Sequence, residues 1–249
     1  MLFALYSVLV YVFFNAAFGY AIAFVGDFPL VPKTIDSGAA ASMPEALLIN
    51  AALLGLFAVQ HSVMARRSFK RWWTRIVPEP IERSTFVFAA TLALALLLWQ
   101  WRPIPQPLVW QVTDPAGRLA LQVLFLTGWG IQLISTFLLD HFELFGLRQV
   151  WVHMTGRTIP PPDFRTPLFY RHVRHPLYLG IVLAFWAAPV MSLGHLFFAV
   201  ATTGYILVGI YFEERDLIAQ FGERYRLYRE QAGMLLPRFK RQRNEPAHH

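Results

Sequence analysis

Six apolar runs, each about as long as a bilayer's hydrocarbon core is thick, recur along the 249 residues of this chain. They cover about 2–25, 45–64, 84–101, 117–140, 177–193 and 195–213. A helix needs about 20 apolar residues to cross that core, so the runs predict an all-α integral membrane protein with about six transmembrane helices. Composition agrees: 56% of the side chains are apolar and only 15% are charged, against about 45–50% and about 25% in soluble domains. Six spans leave loops but no second globular domain. The first run has no basic leader and is too long for a signal-peptide core, so it reads as a retained helix. The last two are separated only by Ser192-Leu193-Gly194 and predict a tight helical hairpin, each arm near the lower length limit.

Charge supports an even number of crossings. All of the 22 basic residues except Lys33, Arg102 and Arg118 fall in 65–83, in 141–176 or after 213. Six spans put these three segments on one side, and the positive-inside rule makes that side cytoplasmic, with both termini inside. The net charge of +7 then faces anionic lipid rather than nucleic acid, because no basic run is interleaved with stacking aromatics. Zero cysteines exclude disulfides, zinc-thiolate sites and a cysteine nucleophile.

Ionisable residues in a span are costly, so their position is informative. They gather at one depth. His61, beside Gln60, lies one turn inside the second span; Asp140, His141 and Glu143 close the fourth. Arg171, His172, Arg174 and His175 lead into the fifth, and Glu213, Glu214, Arg215 and Asp216 leave the sixth. Each has a structural alternative: an interhelical hydrogen bond for His61, and ion pairs or orientation signals for the clusters. Asn15, Asn50, Gln122 and Gln132 read as helix–helix contacts. Joint placement at four helix ends favours a site.

The string Arg171-His-Val-Arg-His-Pro-Leu-Tyr-Leu-Gly180 places Pro176 in a first helical turn, where its missing N–H is harmless. That helix start favours an anion, Arg174 adds a donor, and Gly180 allows a backbone or a ligand to approach closely. Leu217, Phe221, Tyr225 and Tyr228 form one stripe of a helix whose other faces are charged, predicting an amphipathic interfacial helix across the cytoplasmic mouth. The three prolines of 160–162 read as a stiff brace for the preceding loop.

Arg174-His-Pro-Leu-Tyr178-Leu-Gly180, together with Glu213-Glu-Arg-Asp-Leu217, Phe221-Gly-Glu-Arg-Tyr225 and Tyr228, resembles the C-terminal signature of the isoprenylcysteine carboxyl methyltransferase-like membrane methyltransferases. The resemblance covers about residues 160–237. Gln60-His61-Ser62, Glu82-Arg83 and Asp140-His-Phe-Glu-Leu-Phe-Gly-Leu-Arg-Gln149 are similar to the methanethiol S-methyltransferases, with a neighbouring NnrU-type branch that includes a haem-containing isomerase.

The resemblance implies S-adenosylmethionine as cofactor, held at the cytoplasmic face by Arg171, His172, Arg174, His175, Tyr178, Gly180, Glu213 and Glu214. Arg174 is expected on the methionine carboxylate and a glutamate on the ribose or amino group. Arg148, Gln149 and Trp151 are candidates for holding the substrate, and no resident metal is expected. The implied partners are a small thiol, methanethiol becoming dimethyl sulfide, and membrane lipid. The chain then reads as one membrane domain in a bacterial inner membrane, with residues 1–140 supplying four helices and 141–249 the methyltransferase core.

A thiol near neutral pH is only a few per cent thiolate, so a base or a cationic pocket is needed. His141 or His61, oriented by Asp140 or Glu143, is the candidate base. Two alternatives stay open: a lipid-like methyl acceptor (prenylcysteine carboxylate or phospholipid amine), or a haem protein using His61, His141, His153, His172 and His175 as axial ligands.

Overall fold

The computed structural model describes residues 1–158 and 163–238. Pro160–Pro162, and the basic residues Lys240, Arg241 and Arg243, lie outside the described residues. Among the described residues, five helices are long and apolar enough to cross a membrane: α1 (Leu2–Val25), α2 (Met43–Ala65), α4 (Glu79–Gln100), α5 (Pro115–Leu139) and α9 (Leu193–Phe221). Their outward faces expose large apolar side chains such as Val12, Leu56, Val59, Leu126 and Val208, a surface suited to lipid and unsuited to water. The fold is all-α, with the integral membrane character that the apolar runs demand.

The fifth apolar run behaves differently from its neighbours. Its helix, α8 (Pro176–Trp186), has only 11 residues, a length of about 16 Å against a core of about 30 Å. The chain then runs extended through Pro189 into β2 (Val190–Ser192), which pairs antiparallel with β1 (Leu108–Gln111) in the connection between α4 and α5. α8 therefore starts beside the C-terminal part of α9, and its continuation reaches the opposite face as extended chain. Pro189 explains the break, since in a continued helix its ring would clash with the Phe185 carbonyl.

Non-helical backbone at such depth must find partners within the protein, and it does. The Phe185 carbonyl pairs with His195 Nε2 at 2.9 Å. Ala188 O accepts from Trp110 Nε1, and Pro189 O from Val112 N. The connection between the two arms therefore begins at Ala187, five residues before the expected Ser192-Leu193-Gly194 turn. Ser192 instead caps α9, its hydroxyl accepting from His195 N.

Short elements gather on the other face, here termed the basic face: α3 (Arg67–Trp73), α6 (His141–Leu144), α7 (Leu147–Thr155), the 3₁₀ turn Leu168–Arg171 and α10 (Glu223–Gln231). The expected amphipathic helix is interrupted at Gly222, whose φ of +57° suits glycine. Leu217 and Phe221 thus close α9, while Tyr225 and Tyr228 lie on α10. Phe164 packs against the Phe221, Tyr225 and Tyr228 members of the stripe.

Small residues and buried polar contacts hold the long helices together. Ser84 of α4 donates to Ser7 of α1 at 2.7 Å. Asn50 of α2 caps the chain after α4, bonding both the N–H and the carbonyl of Arg102. α5 and α8 cross at Gly128 and Gly180. A Cβ on Gly128 would lie 2.5 Å from Gly180 O, and one on Gly180 would lie 2.4 Å from Gly128 O. The close approach that Gly180 permits is thus to a helix backbone rather than to a ligand, the small-residue crossing common between membrane helices.

Gly128→Ala should therefore destabilise the protein by about 1–3 kcal/mol through overpacking. Gly130→Ala, one residue pair along the same helix with nothing within 4 Å of the added carbon, should leave stability unchanged or slightly raised. Thermal unfolding in detergent reads both. Equal midpoints for the two variants would contradict the crossing.

Candidate active site

Glu214, on the last turns of α9 and 7% exposed, is a buried carboxylate of the basic face. Its Oε1 accepts from Arg174 Nε at 2.6 Å and pairs with His175 Nε2 at 3.2 Å; its Oε2 faces Arg229 Nε at 3.1 Å. Arg174 and His175 sit just before α8 because Pro176 opens that helix, and Arg229 arrives on α10 because the chain turns at Gly222. Arg174 also donates to the carbonyls of Arg229 and Ala232. The segment after α10 completes the junction: Val173 and Gly233 form a parallel bridge, Arg174 N donates to Gly233 O and His175 N to Met234 O. Tyr228 Oη donates to the Tyr170 carbonyl.

Glu213, one residue earlier and exposed, approaches His175 from the other side. It lies 3.9 Å from His175 Nδ1 and beside the Tyr178 hydroxyl. Tyr205 of α9 reaches Ser62 of α2 at 3.3 Å, which brings the Gln60-His61-Ser62 string to the same neighbourhood. His61 stacks on Phe57 (ring centroids 5.5 Å) and packs on Phe86 (5.1 Å). Among the described residues, its buried Nδ1 has no hydrogen-bond partner, and neither does Gln60 Oε1. Buried polar atoms are normally paired, so these two orphans single this place out as a candidate site.

The corner after α5 has another organisation. Asp140, at φ +124°, caps α6 by accepting from Glu143 N at 3.0 Å, and both Asp140 and Glu143 pair with Arg148. His141 is turned away from them. Thr136 Oγ1 gives its only proton to Leu133 O at 2.7 Å, so it must accept from His141 Nδ1 at 2.8 Å. His141 Nε2 is then the acceptor for Tyr11 Oη at 2.7 Å. With Phe137 stacked at 4.2 Å, His141 is a fully satisfied structural histidine. Burial pushes its imidazole below the ordinary histidine range, with Asp140 partly opposing. The expected pairing of His141 with Asp140 or Glu143 is not made, because Arg148 takes both carboxylates.

A cavity of about 600 Å³ opens at this corner, lined by Lys70, Glu82, Arg83, Asp140, Glu143, Arg148, Gln149 and the chain at 163–167. Its charges are largely paired within the wall: Lys70 with Glu82 at 4.0 Å, Arg165 with Asp163 at 3.3 Å, and Arg148 as above. Gln149 Oε1 is buried and has no partner among the described residues. Arg83 lies close to His61, Glu82 and Glu143, linking this cavity to the α2 histidine.

The structure thus brings together Arg174, His175, Tyr178, Glu213 and Glu214, with His61 across from them. Arg148 and Gln149 line the neighbouring cavity. Arg171 and His172 are exposed; Trp151 is 59% exposed on α7 and outside the cavity lining. Gly180 is spent on the α5 crossing. Arg229, Tyr170 and Tyr205 escaped the sequence reading. Arg229 was hidden among the basic residues of the C-terminal segment, and the tyrosines among apolar neighbours.

Two predictions follow from these contacts. Glu214→Gln should cost about 3–5 kcal/mol of stability, because it leaves Arg174 buried without its countercharge; it should also expose the chain after Gln231 to limited proteolysis. For His141, the unfolded imidazole takes up a proton as pH falls below about 6.5 while the buried one resists. Its contribution is therefore full above that pH and lost progressively below it. His141→Asn should flatten the fall in thermal midpoint between about pH 6.5 and 5; an unchanged slope would contradict the assignment.

The chain is 56% identical over 233 residues to the methanethiol S-methyltransferase of Mycobacterium tuberculosis, covering 94% of this chain and 95% of that one. It is 50% identical over 233 residues to the methanethiol S-methyltransferase of Crocosphaera subtropica, covering 94% and 91%. Nurim of Bos taurus is 30% identical over 227 residues, covering 82% and 86%. No family model and no solved structure matches the chain.

Proposed function

Because the chain belongs to the methanethiol S-methyltransferase family and is therefore a methyltransferase, we propose that it transfers a methyl group from S-adenosylmethionine to methanethiol, releasing dimethyl sulfide. The observation that carries the substrate is the 56% identity to such an enzyme across 94% of the chain. The residues on the basic face fit the donor. Glu213 offers an acceptor for ribose hydroxyls or an ammonium, and the two carboxylates tolerate a sulfonium. Arg174 and His175 start a helix whose free N–H groups favour negative charge. When bound, S-adenosylmethionine supplies an electrophilic methyl group.

The protein's own residues do the rest. His61 takes the thiol proton at the unpartnered Nδ1, and nearby Arg83 favours the thiolate that results. Phe57 and Phe86, packed on the imidazole, keep water from the sulfur, which strengthens every charge–charge interaction there. Glu214 holds His175 and Arg174, and so the donor's end of the site, in line with the thiolate. His61 carries this role in preference to His141, whose two nitrogens are occupied by Thr136 and Tyr11.

The basic residues on the face of α3, α6, α7 and α10 support a cytoplasmic orientation for that face, with both termini inside. In this reading the chain is a bacterial inner-membrane enzyme, its first four long helices forming the frame and the segment after Asp140 the methyltransferase core.

The test is direct. Purified protein in detergent, given S-adenosylmethionine and methanethiol, should form dimethyl sulfide above a boiled control by gas chromatography; none formed would overturn the function. His61→Ala should lower kcat about 10²–10⁴-fold and remove the acidic limb of the pH–rate profile, with the KM for the donor unchanged. A normal profile in this variant would return the base to another residue.

A further inference from the structure

Another orphaned polar atom lies at the Glu214 junction. Tyr225 of α10 is 2% exposed, and its Oη has no hydrogen-bond partner among the described residues. The ring is held firmly, edge-on to Phe164 (centroids 5.9 Å) and beside Tyr228 (5.8 Å). α10 itself is pinned by Arg229 on Glu214 and by Tyr228 on the Tyr170 carbonyl. A phenylalanine would fill this position equally well, whereas a buried hydroxyl without a partner costs stability. The hydroxyl therefore needs a reason outside the apo protein.

Its surroundings indicate what that reason is. Arg174, Glu213 and Glu214 are its nearest charged neighbours. Arg174 is the residue from which the sequence motif leads one to expect carboxylate binding, yet its Nε serves Glu214 and one terminal nitrogen serves the Ala232 and Arg229 carbonyls. Its other terminal nitrogen is left for a ligand carboxylate, and a second donor would let both carboxylate oxygens be held. Tyr225 supplies one that stays protonated, because burial and the two glutamates push its ionisation well above the usual tyrosine range.

We infer that Tyr225 is a binding residue for the methyl donor, its O–H donating to the carboxylate at the donor's amino-acid end. The inference rests on the S-adenosylmethionine reading above. It adds a contact that discriminates between molecules carrying that amino-acid tail and those lacking it. Glu213 then faces the ammonium of the same tail, and the paired Arg174 and Arg229 offset the remaining negative charge.

The experiment is calorimetric binding to intact protein in detergent, wild type and Tyr225→Phe, using S-adenosylhomocysteine and methylthioadenosine as probes. Both share the nucleoside and thioether; only the first carries the amino-acid tail. A hydrogen bond to a charged group is worth about ten- to a hundredfold in affinity. Tyr225→Phe should therefore weaken S-adenosylhomocysteine by that factor and leave methylthioadenosine unchanged. The thermal midpoint of the ligand-free variant should be equal to or above that of the wild type, since an unpaired buried hydroxyl has been removed.

Unchanged S-adenosylhomocysteine affinity would overturn the inference while leaving the donor reading intact. Equal weakening of both probes, or a lower midpoint, would assign Tyr225 a packing role and overturn it too. A wild-type protein that binds neither probe would overturn the donor reading and the inference together.

Discussion

Charge burial at Glu214 is the constraint around which the basic face is arranged. A carboxylate 7% exposed at a membrane boundary is tolerable only if its charge is matched and its lone pairs are used. Three groups from two other segments do this: Arg174 and His175 before α8, and Arg229 on α10. The same Arg174 then reaches onward to the backbone after α10, so the requirement of one carboxylate ties four stretches of chain together. Removing Glu214 leaves the enclosed Arg174 without its countercharge, which makes the junction cooperative. Its stiffness suits a site that must hold two reactants in line.

The unusual fifth apolar segment serves the same end. Coiled as one helix, residues 176–192 would span only about 25 Å and leave the Arg174-His175 pair short of the Glu214 turn of α9. A short α8, broken before Pro189 and continued as extended chain to β2, lets the first turn of α8 stand level with the end of α9. The α5–α8 contact at Gly128 and Gly180 fixes how close that short helix sits, and His195 satisfies the carbonyl that the break leaves free. What looks like a defect in a transmembrane helix is a position adjustment whose backbone groups are paired.

Much of this was legible in the sequence where physics is local. The apolar runs at 2–25 and 45–64 match α1 and α2 within about two residues at either end, because lipid contact leaves a chain little choice but helix. The meeting of Arg174, His175, Glu213 and Glu214 was legible because two short motifs straddle one hairpin. Other features depend on pairings no single segment encodes. The three-residue turn was misplaced because Pro189 acts through Phe185, four residues earlier. The stripe at Leu217, Phe221, Tyr225 and Tyr228 has helical spacing, but Gly222 bends it and Phe164 covers it. His141 and Asp140 are neighbours in sequence, yet Arg148 draws the carboxylates one way while Thr136 and Tyr11 draw the imidazole another.

The central claim, that the Glu214 junction is where the donor binds, is tested most directly by locating the donor in the intact protein. Ultraviolet irradiation of the protein with methyl-labelled S-adenosylmethionine, followed by proteolysis and mass spectrometry, places the label on particular peptides. The account predicts labelling within 170–180 and 213–234, reduced by excess S-adenosylhomocysteine. Protectable label confined to the opposite face, on 26–37 or 118–122, would contradict it.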